Sequence, residues 1–309
     1  MQPTLFLDDG PRPAPAAAAV ELSVIIPALN VAPVIGDQLA ALAAQDWDGA
    51  WEVIVADNGS RDGTVEVARR YQARLPDLRI LDASGRQGAA FARNVGAQAA
   101  QGEALVFIDA DDIVAPGFLR AMAAALREHP FSAPRIDATS LNSAWAARLG
   151  EHPQYHGLMR YYNEPFLHHA SGCGLGMRRS LFLRLGGFDE SLLRLQDTEL
   201  CFRAQLAGVP MHFVPEARVA MRNRQSFRGM LRQARDWGKA EVSLVSRYRR
   251  MGGPWRLLYL WLRYTARWLK LLARLLGARS RQAVALVAKE AARQVGIFEA
   301  ALRTGKPPV

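Results

Sequence analysis

Only two cysteines, Cys173 and Cys201, occur in 309 residues, which excludes a disulfide framework and leaves nothing with the paired spacing of a zinc site. They are expected to be reduced thiols of a cytosolic protein. No run of about 18 uncharged apolar residues exists, so no membrane-spanning helix is expected. Residues 1–20 lack the basic start and long apolar stretch of a secretory signal, and their Pro/Ala-rich run from Pro11 to Ala19 reads as a disordered lead-in. Acidic residues are scarce from Arg222 onward: residues 222–309 hold 4 Asp+Glu against 20 Lys+Arg, whereas residues 1–221 hold 25 against 19. An acidic body with a tail of net charge +16 points to an anionic partner for the tail. Membrane lipid and nucleic acid both qualify on charge alone.

What is abundant is apolar surface, at 50% of residues, enough for one large domain or one domain with an appendage. Three short Val/Ile-rich runs, Leu22 to Pro27, Glu52 to Asp57 and Ala104 to Asp109, have the character of strands buried on both faces. Between them lie helical spacings: Ile35, Leu39 and Leu42 at i, i+4 and i+7, and a stretch from Gly63-Thr64 to Arg70. Such alternation predicts an α/β fold on a mostly parallel sheet with right-handed crossovers. Ligands of such sheets bind beyond the carboxyl ends of the strands, where Pro27-Ala28-Leu29-Asn30, Asp57 and Asp109 fall. Helix capping is the competing account of any one of these residues. After Ala125 the prolines 130, 134, 153 and 165 break the pattern until a strand and helix resume near Gly172; from Arg222 the chain reads as helix, interrupted at Gly252-Gly253-Pro254 and Gly277.

The strongest local feature is Phe107-Ile108-Asp109-Ala110-Asp111-Asp112, a buried strand running out into carboxylates. In extended chain, residues two apart point the same way, so Asp109 and Asp111 are expected to converge. All-oxygen ligation of this kind suits Mg²⁺ or Mn²⁺, held by one or two carboxylates plus substrate phosphates. An acidic turn capping a helix that begins near Pro116 is the alternative. The turn-rich loop Asp57-Asn58-Gly59-Ser60-Arg61-Asp62-Gly63-Thr64 offers small polar groups to a nucleotide, and Gly88 to Gly96 brings Arg93 and Asn94 to a helix; taken alone, each is an ordinary turn or helix.

Taken in order, Val24-Ile25-Ile26-Pro27, the Asp57 loop, Gly88 to Gly96, Asp109-Ala110-Asp111, Gly186-Gly187-Phe188-Asp189-Glu190 and Gln196-Asp197-Thr198-Glu199-Leu200 resemble the motifs of family-2 glycosyltransferases. The resemblance covers roughly residues 21–240. It implies a GT-A fold with a Rossmann-like donor half (21–125) and an acceptor-binding half (126–240); the charge and helical pattern add a helical basic extension (241–309). The resemblance implies an inverting transferase that takes its sugar from a nucleotide-diphosphate donor; a glycan or lipid-linked acceptor in cell-envelope or exopolysaccharide synthesis is the expectation that membrane attachment through the basic tail would add. Pro27, Asn30, Asp57, Asn58, Gly88, Arg93 and Asp109 would serve the donor, Asp57 at the nucleobase. Asp109 and Asp111 would hold the metal, Asp197 would be the base, and Gly187, Phe188, Gln196 and Trp237 would meet the acceptor. Three departures stand out. Gln196 replaces the acidic residue that often precedes the base, Met221 stands where a metal-binding histidine is common, and Asp236 breaks the Gln-x-x-Arg-Trp pattern of processive synthases in Gln233-Ala234-Arg235-Asp236-Trp237. The broken pattern, together with the lack of an expected spanning helix, implies a single sugar addition per encounter. A nucleotidyltransferase is the runner-up, but lacks its Gly-rich basic loop after the first strand; a catalytically inactive, membrane-bound relative is the other.

In the tail, Arg256, Arg263, Arg267, Lys270 and Arg274 fall within about 60° of one another at about 100° per residue. The rest of Trp255 to Leu272 is mostly Leu, Trp and Tyr. A cationic face beside a broad apolar one predicts a helix lying peripherally on the anionic inner face of the cell membrane rather than binding nucleic acid. A helix packed on the enzyme with its cations in water is the alternative.

Overall fold

Strand and helix alternate through the first half of the chain as the apolar spacing predicts: β1 (Leu22–Ala28), α1 (Ala32–Ala43), β2 (Trp51–Asp57), α2 (Thr64–Arg69), β3 (Leu78–Asp82), α3 (Ala89–Ala99) and β4 (Ala104–Phe107). There follow β5 (Ile113–Val114), α4 (Phe118–Glu128), β6 (Phe131–Asp137), α5 (Ala144–Ala147), the short hairpin β7 (Met159–Arg160) and β8 (His168–His169), and β9 (Leu175–Arg178). The chain continues through α6 (Arg179–Arg184), α7 (Gln196–Leu206) and β10 (His212–Ala220) to three long helices, α8 (Phe227–Tyr248), α9 (Pro254–Leu276) and α10 (Arg281–Thr304). This computed structural model describes residues 20–147, 151–163, 165–248 and 254–308, and no side chain of 254–257. The lead-in expected at 1–20 therefore lies, except for Val20, outside the described residues, as does the side chain of Arg256.

Eight strands form one sheet in the order β3-β2-β1-β4-β9-β6-β10-β5. β1 to β4 run parallel; β9 enters antiparallel between β4 and β6, and β10 returns parallel to β6. The boundaries expected at 125/126 and 240/241 fall inside α4 and α8, and strands from both expected halves share this sheet. Because side chains alternate along a strand, each central strand feeds two layers. Val24, Ile26, Val53, Val55 and Val106 join the cluster under α1 and α4, while Ile25, Ile54, Leu105 and Phe107 join the one under α6 and α7. β3, unmarked in the sequence reading, is half-buried along most of its length, so it lacks a continuous apolar run.

The register sets Ala28, Asp57 and Asp82 abreast at the carboxyl edge. Among the C-terminal helices, α8 and α10 approach so closely that a Cβ on Gly238 would lie 2.0 Å from the Arg293 carbonyl oxygen, and one on Gly296 2.0 Å from that of Arg235. Ion pairs Glu241–Arg293 and Arg235–Glu299 flank the crossing. Backbone cannot retreat as a side chain can, so Gly238→Ala or Gly296→Ala should cost roughly 1–3 kcal/mol of stability. Thermal unfolding checks this; an unchanged midpoint would mean that the helices tolerate a wider spacing.

Candidate active site

Loops at the carboxyl edge are laced together by short polar side chains. Asn30, at φ 53, accepts from the Arg61 N–H and donates its own backbone N–H to Ser60 Oγ. Thr64 Oγ1 and Asp62 Oδ2 receive the Val31 and Ala32 N–H groups, so they satisfy the otherwise uncapped start of α1. Asn58, buried, donates to the Ala83 and Arg86 carbonyls and accepts from the Gly88 N–H. Its amide is thus engaged at both ends in fixing the β3–α3 loop, a positioning duty where a donor contact was expected. Pro27 is half-buried in β1, opposite Ala56. Asp57 differs from these: Oδ2 accepts from the Gly59 and Ser60 N–H groups, while Oδ1 is buried without any hydrogen-bond partner. A buried acceptor left in that state is costly unless a ligand completes it.

β4 stops at Phe107, two residues earlier than expected, and the chain turns at Ala110-Asp111. The turn, rather than strand alternation, makes the carboxylates converge: Asp109, Asp111 and Asp112 each present an oxygen within 4.8 Å of the others. Burial and the Asp109 charge raise Asp111 above the ordinary carboxylate range. Asp112, 3% exposed, is raised well above it by burial and by both neighbours. Three hard oxygen donors this close match Mg²⁺ or Mn²⁺ chemistry, since a divalent charge removes the repulsion that otherwise holds protons on them.

Arg93, 4% exposed, donates from Nη2 to Asp109 Oδ1, and its guanidinium lies 5.4 Å from the Phe188 ring centroid. Its Nε and Nη1 are buried and unpartnered. Asp197 sits in the first turn of α7, where Oδ1 accepts from the Thr198 N–H at 2.7 Å and Oδ2 from the Gly172 N–H at 2.8 Å. The helix N-terminus favours its negative charge. Gly172 is the junction: a Cβ there would lie 3.3 Å from both Arg93 Nη2 and Asp197 Oδ2. Asp109 and Asp197 therefore flank one guanidinium and one bare backbone position. Leu195, just before α7, is held at φ 61, a strained conformation of the sort that clusters at functional turns. Gln196 is buried with Oε1 unpartnered.

Other expected contacts fall elsewhere. Phe188 is 2% exposed and packs edge-on against Phe107 at 4.9 Å. Asn94 pins its turn by bonding the Phe188 N–H and carbonyl, and leaves a Gly187 Cβ only 2.7 Å from Asn94 Oδ1. Gly187 and Phe188 thus build the wall, where acceptor contact was expected. Trp237 lies under Lys289 of α10, which is in the field of His152, itself in the field of His169 beside Asp197. Met221 packs against the first core cluster and gives its N–H to the Asp137 carbonyl. Its neighbour Arg222 takes the adjoining position, with its N–H on Asp112 Oδ1 and its Nε on the Asp111 carbonyl. Asp112, Gly172 and Arg222 were not singled out from sequence; antiparallel pairing of β5 with β10 brings Arg222 to the acidic turn. Cys173 and Cys201 are free and buried, and burial raises both thiols.

A carboxylate turn at the open edge of a Rossmann-like sheet, with a second carboxylate at the start of α7 across Arg93 and Gly172, is the arrangement of a GT-A fold. The chain belongs to Glycosyl transferase family 2, whose model matches residues 23–186, more than half of it. It is similar to the uncharacterised glycosyltransferase YibD of Escherichia coli K12, 34% identical over 128 residues (41% of this chain, 35% of YibD). AglE of Haloferax volcanii is 42% identical over 91 residues (29% and 30%). The chain spans about a third of the length of these two relatives. Among solved structures, a mannosyltransferase of Pyrobaculum calidifontis in complex with GDP-Man and Mn²⁺ superposes with a TM-score of 0.61 at 23% identity, over 94% of this chain and 90% of that one. Staphylococcus aureus TarS 1–349 in complex with UDP does so with 0.51 at 19% identity, over 93% and 92%. At such identities the likeness is one of fold.

Proposed function

We propose that the protein transfers a sugar from a nucleotide-diphosphate donor to an acceptor hydroxyl with inversion, with Asp197 taking the acceptor's proton. One observation carries this reading: the Asp109–Asp111–Asp112 turn and the Asp197 carboxylate meet across Arg93 and Gly172 at the carboxyl edge of the sheet. Asp109 and Asp111, with Asp112 beside them, are the residues that would hold Mg²⁺ or Mn²⁺. The ion's contribution would be to neutralise the leaving diphosphate. Asp197, oriented by two backbone N–H groups, is the general base. Gln196 Oε1, buried and unpaired, is available to an acceptor hydroxyl.

The orphaned Asp57 Oδ1 supports recognition of a nucleobase N–H. Asp57→Asn keeps the shape but presents an amide where a charged acceptor stood. It should weaken nucleotide binding by about ten- to a hundredfold, the worth of a hydrogen bond to a charged group, with little change in melting temperature. Calorimetric titration measures it, and unaltered affinity would place the base elsewhere.

The acceptor is a glycan or lipid-linked glycan of the cell envelope, consistent with the poly(ribitol-phosphate) for which TarS is named, and the work is done at an anionic membrane surface. No helix of the described residues is long and apolar enough to cross a membrane, while residues 222–309 carry 20 Lys+Arg against 4 Asp+Glu. Incubating the purified chain with uridine-, guanosine- and thymidine-diphosphate sugars and Mn²⁺ tests the reaction. Release of nucleoside diphosphate with any of them supports it; nucleotide binding without turnover on any acceptor would favour an inactive partner protein.

A further inference from the structure

The basic helix α9 presents three faces. Leu260, Tyr264 and Leu271 are buried against the protein, with Tyr264 giving its hydroxyl to the Gln294 carbonyl of α10. The arginine stripe adjoins this seam, about 70° around the helix at about 100° per residue. Arg267 is half-buried in the field of Glu241, Arg293 and Glu290, and Arg263 is half-buried with its guanidinium 5.7 Å from the Tyr259 ring. Arg267 thus shares its surroundings with Glu241 and Glu290, and Arg263 lies over Tyr259 of its own helix, so the cationic stripe is only partly open to an anionic surface. Turned away from both is a leucine face: Leu258, Leu262, Leu269, Leu272 and Leu276 are 51–82% exposed. They lie within about 80° of one another and about 150° from the arginine stripe.

We propose that this leucine face, rather than the arginine face, is the surface that enters the membrane, seated in an anionic bilayer with Lys270 and Arg274 reaching back to the headgroups. The inference rests on the reading that the protein works at a membrane surface, and adds which side of α9 meets the lipid. Five contiguous, well-exposed leucines form an apolar patch of the kind that marks an interaction site. Charge selects the occupant. No Asp or Glu occurs from Pro254 to Leu276; Lys270 and Arg274 are exposed on the arginine stripe, about 120° and 160° round the helix from the middle of the patch, and Arg279 and Arg281 follow just past its end. A second copy laid on this face would bring like charges together, whereas anionic headgroups neutralise them and the acyl region accepts the leucines. The seam formed by Leu260, Tyr264 and Leu271 keeps the helix attached to the enzyme meanwhile.

The test is co-sedimentation of the full chain with vesicles of phosphatidylcholine alone and of phosphatidylcholine mixed with phosphatidylglycerol. Wild type should bind the mixed vesicles best and lose affinity with added salt. Leu262→Asp combined with Leu269→Asp should reduce binding by about tenfold or more on either vesicle, whereas Lys270→Gln with Arg274→Gln should weaken only the anionic preference. All four positions lie on the outer surface, so melting temperature and donor turnover without vesicles should stay at wild-type values. If wild type binds and the double aspartate variant binds equally, the leucine face is not the lipid face, though the membrane reading stands. If wild type binds neither vesicle, both are overturned, with glycosyl transfer judged separately by its own assay. A wild-type dimer that the leucine variant converts to monomer would assign the face to a second copy and overturn the proposal.

Discussion

Asp197→Asn is expected to lower sugar transfer by roughly 10²–10⁴-fold, the usual contribution of a positioned general base, while nucleotide affinity changes little. The substitution is nearly isosteric, but the hydrogen bonds say what it costs. Oδ1 and Oδ2 each accept from a backbone N–H, of Thr198 and of Gly172. An asparagine can satisfy one of these with its oxygen and must turn its NH₂ toward the other donor, losing one hydrogen bond, on the order of 1 kcal/mol. That is enough for a few degrees in melting temperature but not for unfolding. Asp197→Glu makes the informative companion. It keeps the charge and lengthens the reach, so an activity well above that of the asparagine variant would point to proton acceptance, whereas equal loss in both would point to Asp197 merely anchoring the Gly172 segment. Transfer and nucleotide binding must be measured together, because only their separation distinguishes a lost base from a lost donor site.

Periodicity and order made the sheet legible: Val24, Ile25 and Ile26 part into two layers as a strand buried on both faces must. Asp109 and Asp111 were legible because acidic residues at the end of an apolar run are conspicuous. Asp112 was not, since alternation along a strand points it away from them, and only the turn at Ala110-Asp111 folds it back. Arg222 was out of reach for another reason: it meets Asp112 across 110 positions of sequence, through a strand pairing that no local pattern announces. Asn58 and Phe188 show the opposite ambiguity. A small polar residue in a turn looks the same whether it binds a ligand or pins a neighbouring loop, and Asn58 pins the loop at Gly88. In α9 the cationic stripe was visible, but leucines occur on two sides of it, and which side the enzyme covers depends on α8 and α10.

Asp111→Ala should reduce transfer by about a hundredfold or more and weaken Mn²⁺-dependent donor binding, because it removes one of three converging carboxylates and a hard cation has few other ligands in reach. The electrostatics make a second demand on the same site. Burial raises Asp111 and Asp112, with Asp109 adding to both, so these groups keep their protons to higher pH than ordinary carboxylates. A cation must displace those protons, hence its affinity should rise with pH through the range in which they leave, and extra Mn²⁺ should restore binding on the acidic side. Removing Asp111 relieves repulsion in the rest of the turn and should shift that dependence to lower pH even as affinity falls. Arg222 works in the same direction as the cation, holding Asp112 Oδ1 through its N–H and lying within the field of Asp111. Titrating Mn²⁺ by calorimetry at several pH values, with and without nucleoside diphosphate, reads both effects without reference to turnover. Donor affinity that is equal with Mn²⁺ and with EDTA, in wild type and in Asp111→Ala alike, would mean that the acidic turn holds the loop together and carries no ion.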